Sequence, residues 1–449
     1  MSHRIIRTAA LGLMLGLGTQ VAAESFDREQ AVRHALAHNP ELLAMREQVA
    51  AAGGRTRAAQ GARLPSLGLS YSARSSNNPL DAFADKLNTR SVTTPDFDPA
   101  RLNHPGTSDL HMTQLALRLP LYAGGRVSAS LTSAEEMENH ARLQYERARE
   151  LTAFQTLRAW LNVQAAQEGL AIADDAVKAA QDHARTTAQL AREGRIVVSD
   201  KLTAEVNLAA VQSQREQAAT RLESARNQLK LAMGLPLETG ITLAPAVSGA
   251  AADTANAADI ETRALANRRD LAAARAVHQA ARARVQAARA VHKPSVDFIA
   301  TSNWYDDNPG FDEHSSSIMG VVSLDLYAGG RHQGGITTAL AEEREAQWRV
   351  QSLEQTVRHD VREARENLRE SRARHATAAD NTEHAKENVR LVKQRYGQGR
   401  TLLIDLLQAE RSHTDARSEE LVSRVNLEVG QAALQLAEGT LPLPPEEGQ

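Results

Sequence analysis

A six-residue string occurs twice in this 449-residue chain: Leu121-Tyr122-Ala123-Gly124-Gly125-Arg126 returns letter for letter as Leu326-Tyr327-Ala328-Gly329-Gly330-Arg331, a shift of 205 positions (326 − 121). Self-similarity at a fixed spacing marks a repeated structural unit. The same shift carries Gly194-Arg195 onto Gly399-Arg400, Asp200 onto Asp405 and Gly234 onto Gly439. Upstream the shift is 229 (294 − 65): Ala35-Leu36-Ala37 maps to Ala264-Leu265-Ala266, Leu42 to Leu271, and Pro65-Ser66 to Pro294-Ser295. The difference, 24 (229 − 205), locates an insertion in the first copy between Pro65 and Leu121, within a polar stretch from Ser75 to Asp109 that reads as an exposed loop. The chain must therefore fold as two like halves, 24–240 and 259–442, joined by a linker over 241–258 and followed by a tail, 443–449.

Each half changes period partway along. Leu67, Leu69 and Tyr71 alternate with Ser66, Gly68, Ser70 and Ser72, and Leu115, Leu117, Leu119 and Leu121 alternate with Gln114, Ala116, Arg118 and Pro120. A period of two predicts strands, here a pair over about 66–74 and 111–121, and by the same pattern a second pair over about 294–304 and 317–326. The polar sides carry Arg118, Asp297 and Asp325, which fits a membrane barrel with a wet lumen and equally a half-buried soluble sheet. After Gly125 and Gly330 apolar residues recur every three or four positions, and no proline lies between Leu121 and Leu235. The spacing predicts helical hairpins over 127–233 and 331–437, turned at Gly194 and Gly399, with a first limb ~100 Å long at 1.5 Å per residue. About 80 alanines and only 3% aromatic residues point to helices packed closely through small side chains.

Arg4 and Arg7 precede an apolar run from Ala9 to Leu17, and Val21-Ala22-Ala23 supplies small residues before Glu24, so residues 1–23 read as a cleaved secretory signal. The run is far short of the ~20 residues that span a bilayer as a helix. Loss of Arg4 and Arg7 takes the formal charge from −3 to about −5. The chain has no cysteine, which excludes disulfides, thiolate metal sites, a cysteine nucleophile and an anchor on an N-terminal cysteine. Its near-neutral balance argues against a dedicated nucleic-acid binder. An exported chain of this kind is periplasmic, secreted, or inserted in the outer membrane as a β-barrel. Four strands cannot close a barrel without leaving two edges in lipid, so insertion requires several copies, and three would supply twelve strands and twelve helices.

The doubled strand hairpin and long helical hairpin, the repeated Leu-Tyr-Ala-Gly-Gly-Arg turn, the Asn39-Pro40-Glu41-Leu42 opening and the Pro65-Ser66 and Pro294-Ser295 strand starts resemble the TolC-like outer-membrane efflux channels, over about Ser25 to Pro442. The resemblance implies a mainly α fold with membrane β: a homotrimer whose 12-stranded β-barrel in outer-membrane lipid sits on a 12-helix α-barrel tunnel through the periplasm of a Gram-negative cell. It also implies a periplasmic adaptor, or membrane fusion protein, and an inner-membrane pump of RND, ABC or MFS type. The protein itself would be a passive gated conduit for multidrug efflux or type I secretion. The alternative is a non-membrane periplasmic coiled-coil scaffold, in which the strands would be dispensable.

By the same resemblance Gly194 and Gly399 mark adaptor-docking tips, and Asp200 and Asp405 form carboxylate rings at the periplasmic gate. The family's second acidic position is Gln408 here, which weakens any inference of strong cation binding. Arg195, Arg400 and Tyr396 are placed to bond Asp200 or Asp405 across neighbouring hairpins as a latch; the plainer reading has these as solvated turn residues, with Asp200 capping the return helix. Gly124, Gly125, Gly329 and Gly330 lack the lysine with serine or threonine of a phosphate loop and are assigned to the barrel–tunnel junction. No nucleophile elbow or zinc-protease motif is found, so neither enzyme activity nor a cofactor is expected. His34 and His38 lie one turn apart without a third metal ligand, and His104, His111 and His314 fall in or beside the external loops.

Overall fold

The structure is a computed structural model that describes residues 24–244 and 257–445; the signal segment, most of the linker and the end of the tail lie outside the described residues. The first copy runs β1 (Glu24–Phe26), α1 (Arg28–His38), α2 (Pro40–Gly61), β2 (Ser66–Ser76), α3 (Pro79–Asn88), α4 (Pro99–Asn103), β3 (Ser108–Ala123), α5 (Arg126–Arg192), α6 (Val198–Met233) and β4 (Ile241–Leu243). The second runs α7 (Ala257–Asn267), α8 (Arg269–Arg289), β5 (Ser295–Asp306), β6 (Glu313–Ser323), α9 (Arg331–Gly397) and α10 (Leu403–Glu438). Duplication is visible in the lengths: α5 and α9 are each 67 residues, and α6 and α10 each 36.

Each return helix covers about half of its long partner. The other half of α5 packs on α2 and α8, and that of α9 on α8. At either level one chain thus presents four helices, first α2, α5, α8 and α9, then α5, α6, α9 and α10. Alanines make the close approach, with Ala273, Ala276, Ala280, Ala281 and Ala283 of α8 buried. Where the two levels meet, β1 pairs in parallel with β4. Beside them Phe26, Ala31, Trp160, Leu229, Met233 and Ile241 form the largest buried cluster. A second cluster joins Ile260, Leu271, Val357, Val361 and Leu434. Next to it lies a buried charge cluster: Arg268 bonds Asp270 at 2.6 Å and Asp360 at 2.6 Å, and Arg147 bonds Glu150 at 2.7 Å and the Leu436 carbonyl at 3.1 Å. With Arg147 Nε also 4.0 Å from Asp270, these contacts tie α5, α8, α9 and α10 into one collar.

The four long strands form one antiparallel sheet in the order β2-β3-β5-β6. Its registers repeat as the sequence does. Ser66 faces Arg118 in the first hairpin, and Ser295 faces Ser323 in the second; moving the first pair by 229 and 205 positions reproduces the second. One difference separates β6 from the expectation of 317–326: the strand spans Glu313–Ser323, and Leu324 and Leu326 lie outside it. The residue of β5's chain that would face Leu324 is Pro294, which has no N–H to donate. In the first copy a bulge between Pro120 and Tyr122 lets β3 continue alongside β5 as far as Ala123.

Candidate functional site: a two-faced sheet and paired helical tips

The sheet has one apolar and one polar face, because side chains alternate along every strand. On the apolar face Leu67, Leu117, Ala300 and Ile318 fall in one cross-strand row. Leu69 and Ile318 are 73% and 76% exposed and Val322 70%, an uncovered apolar surface of a kind soluble monomers rarely carry. Tyr71 and Trp304 lie toward its outer end, and Tyr122 and Phe298 toward its inner end. On the polar face Gln114 Nε2 donates to Asn303 at 2.9 Å, Thr301 and Ser317 hydroxyls meet at 2.8 Å, and Arg118 Nε lies 3.3 Å from Asp297 Oδ1. Gly125 and Gly330 are the N-cap residues of α5 and α9, at the strand–helix boundary.

The opposite end of the molecule carries the two turns. Gly194 and Gly399 have φ of 68° and 70°, and Arg195 N–H and Arg400 N–H donate back to the Leu190 and Arg395 carbonyls at 2.9 and 3.0 Å. This left-handed close is a common helix ending, and it is the same in both copies. Asp405 does cap its helix: its Oδ2 accepts from Thr401 Oγ1 at 2.6 Å and from the Leu402 N–H at 3.2 Å. The plainer sequence reading gave that role to Asp200, for which no such side-chain cap is found among the described residues. Burial and the Asp200 charge push the Tyr396 phenol above its ordinary value. Tyr396 packs with Ala184, Ala204, Leu403 and Leu407, which join the two hairpins of one chain near their tips.

Within one chain the arginines do not reach these carboxylates. Arg195 Nη1 lies 3.7 Å from Glu193, and among the described residues no ion pair joins Arg195 or Arg400 to Asp200 or Asp405. What links the hairpins is a ladder that the sequence reading missed: Arg424 with Glu168, Arg417 with Asp175 at 3.0 Å, and His183 with Glu410 at 2.8 Å. The α10 members recur every seven residues, two turns of helix, the spacing that could have exposed the seam between antiparallel helices. The two arginine pairs are exposed and contribute only ~0–1 kcal/mol each, so they fix register more than stability; His183 and Glu410 are half-buried. Among the described residues no group of three or more ligands could hold a metal ion, and no helix is long and apolar enough to cross a membrane. His34 and His38 stack at 4.2 Å, with Nδ1 of each bonded to a backbone carbonyl.

A doubled strand hairpin on a long helical hairpin, polar on one sheet face and apolar on the other, is the fold of an outer-membrane channel protein. The chain belongs to the outer membrane efflux protein family, whose model matches residues 31–235 and 262–440. It is 28% identical over 183 residues to the outer membrane efflux protein BepC of Brucella suis, covering 41% of this chain and 36% of that protein. It is 23% identical over 373 residues to the proteases secretion protein PrtF of Dickeya chrysanthemi, covering 79% and 76% respectively. In fold it matches the crystal structure of a membrane protein from Pseudomonas aeruginosa with a TM-score of 0.79, at 19% identity, over 92% of this chain and 93% of that one.

Proposed function

We propose that three copies of this chain form an outer-membrane channel-tunnel, the exit conduit of a tripartite efflux or type I secretion system. The conduit is passive and performs no catalysis; a periplasmic adaptor meets the helical tips, and an inner-membrane pump supplies the energy. One observation carries this reading: the sheet ends in two unpaired edges, β2 and β6, that the internal repeat shows to be complementary. Carrying the β3–β5 pairing across by the same two shifts sets β6 of one copy against β2 of the next, with Ser323 facing Ser70, Val322 facing Tyr71 and Val321 facing Ser72. Leu324, Asp325, Tyr327 and Ala328, which lie outside β6, then gain Leu69, Gly68, Leu67 and Ser66 as partners, with Leu326 at the bulge position of Leu121; Tyr327 is 88% exposed in the single chain.

The chain has no native cysteine, so the seam can be tested with one introduced pair. Ser72→Cys with Val321→Cys is expected to give covalent trimers in outer-membrane fractions after oxidation. The pair Ser70→Cys with Val321→Cys, two residues out of register on the same face, should give few. Equal cross-linking by both pairs, or soluble uncross-linked chains, would support the periplasmic scaffold instead.

The tips supply the second test. In a trimer Asp200 and Asp405 each form a ring of three carboxylates at a narrow opening, where they favour cations. Between neighbouring hairpins Arg195 and Arg400 latch these carboxylates, so Asp200→Ala combined with Asp405→Ala is expected to release the closed tips and raise single-channel conductance severalfold in planar bilayers, while reducing cation preference. Conductance and selectivity that match the parent channel would remove the carboxylate gate.

A further inference from the structure

The insertion between β2 and β3 is folded. Asn78 and Asp98 accept from the first turns of α3 and α4, whose first residues are Pro79 and Pro99. Asp85 of α3 is 2% exposed and bonds Arg74 of β2, while Ser108 Oγ of β3 donates to it at 3.1 Å. Arg74 also pairs with Asp81 at 3.2 Å. Lys86 pairs with Asp96, which also accepts from the Thr93 N–H and hydroxyl at 2.7 Å each. The Lys86 bond foremost, then the Thr93 bonds, hold the Asp96 carboxyl well below the usual carboxylate range.

The side of the sheet on which this unit lies follows from strand parity. Arg74, Ser108 and Leu110 share the face of Ser66, Arg118 and Asp297, the polar one, and Leu110 is buried at 6% exposure. At the far edge Arg90 Nε lies 3.0 Å from Glu313 Oε2, and Arg90 Nη2 donates to the His314 carbonyl at 3.1 Å. Glu313 pairs with Tyr305 and is on that same polar face. Arg90 is the one residue other than glycine with positive φ among the described residues, at 51°. Such a backbone persists only where its surroundings hold it.

From this juxtaposition we infer that the insertion is an inward-folded lid at the external mouth, hinged at Arg74–Asp85 on β2 and caught at Arg90–Glu313 on β6, which sets the size of what leaves. The inference rests on the channel reading, because the polar face is the lumen only if the sheet closes into a barrel. Each lid reaches from the first strand of its own chain's sheet to the last, so three cover the ring of twelve. The exit is thereby restricted independently of the periplasmic tips.

Cysteine labelling of intact cells separates the two ideas. Ala116→Cys lies on the polar face of β3 and Leu117→Cys on the apolar face. A small methanethiosulfonate applied from outside is expected to reach position 116 and not 117 in the full-length trimer. A bulky polyethylene-glycol maleimide should reach 116 slowly. Replacing 79–103 by a short Gly-Ser linker should speed that bulky reaction about tenfold, as removal of a constriction does, and leave the small one unchanged. Arg90→Glu should speed it too, and Arg90→Glu with Glu313→Arg should restore the slow rate, which keeps the test valid if the deletion misfolds. Bulky labelling that is as fast in the parent as in the Arg90→Glu variant would overturn the lid. Equal small-reagent labelling at 116 and 117 would overturn the channel reading itself.

Discussion

Arg268→Ala is expected to lower the stability of the folded trimer by about 3–5 kcal/mol, the usual cost of removing one partner from a buried charge pair. Arg268 is 5% exposed and bonds both Asp270 and Asp360, so its loss removes the closest cation from two carboxylates at the junction of α8 and α9, leaving Asp270 with the Leu271 N–H and the more distant Arg147. Lysine offers a point charge without the planar fork and should recover part of the loss. Acid should erase the difference. Burial works to raise the Asp270 pKa, but the Arg268 bonds and charge outweigh it and hold the carboxyl below its ordinary value. A depressed carboxyl contributes stability that is present above its unfolded pKa of about 4 and is lost as pH falls toward the folded value. The parent and Arg268→Ala trimers should therefore begin to converge in dissociation temperature as pH falls below about 4, and meet only below the lowered Asp270 value. A variant that dissociates with the parent at neutral pH would show that the collar does not depend on this cluster.

Gly399→Leu is expected to abolish export while leaving trimers in the outer membrane. At φ 70° a side chain costs only ~1–2 kcal/mol, and nothing lies within 4 Å of where its Cβ would stand. The fold can bear that, but an adaptor that must approach the turn closely cannot. Gly234, equally left-handed, is the control: its Cβ would meet the His38 carbonyl oxygen at 2.5 Å, so Gly234→Val should give no assembled protein at all. Semi-native gels report the trimer, and drug susceptibility or secreted product reports export. Wild-type export from Gly399→Leu cells would move adaptor docking away from this tip.

Much of this was legible because duplication doubles every weak signal. Alternation over residues 66–72 alone is ambiguous, but the identical hexapeptides fix where strand gives way to helix, and both long helices begin at its final arginine. β6 ends earlier than its alternation suggests because, within one chain, the residue that would face Leu324 is Pro294, which has no N–H to donate. The helices of the insertion were read as a polar loop, although Asn78-Pro79 and Asp98-Pro99 are ordinary N-cap and first-turn pairs. These helices are short, and they are held in place by the buried Ala82, the Phe83–Phe97 ring contact and the bonds of Asp85 and Asp96. The tips were partly legible: glycine marked both turns, but spacing could not show that Asp405, rather than Asp200, caps its own helix.

The open edges of the sheet also bear on inheritance. If the wall is built one third from each chain, as proposed, no subunit works alone, and a single faulty copy is present in every ring it joins. In a cell making equal amounts of normal and Gly399→Leu chains, random assembly would leave roughly one eighth of the trimers wholly normal. A tip lesion that spares assembly should then behave as dominant, and a folding lesion such as Gly234→Val, which never enters a ring, as recessive.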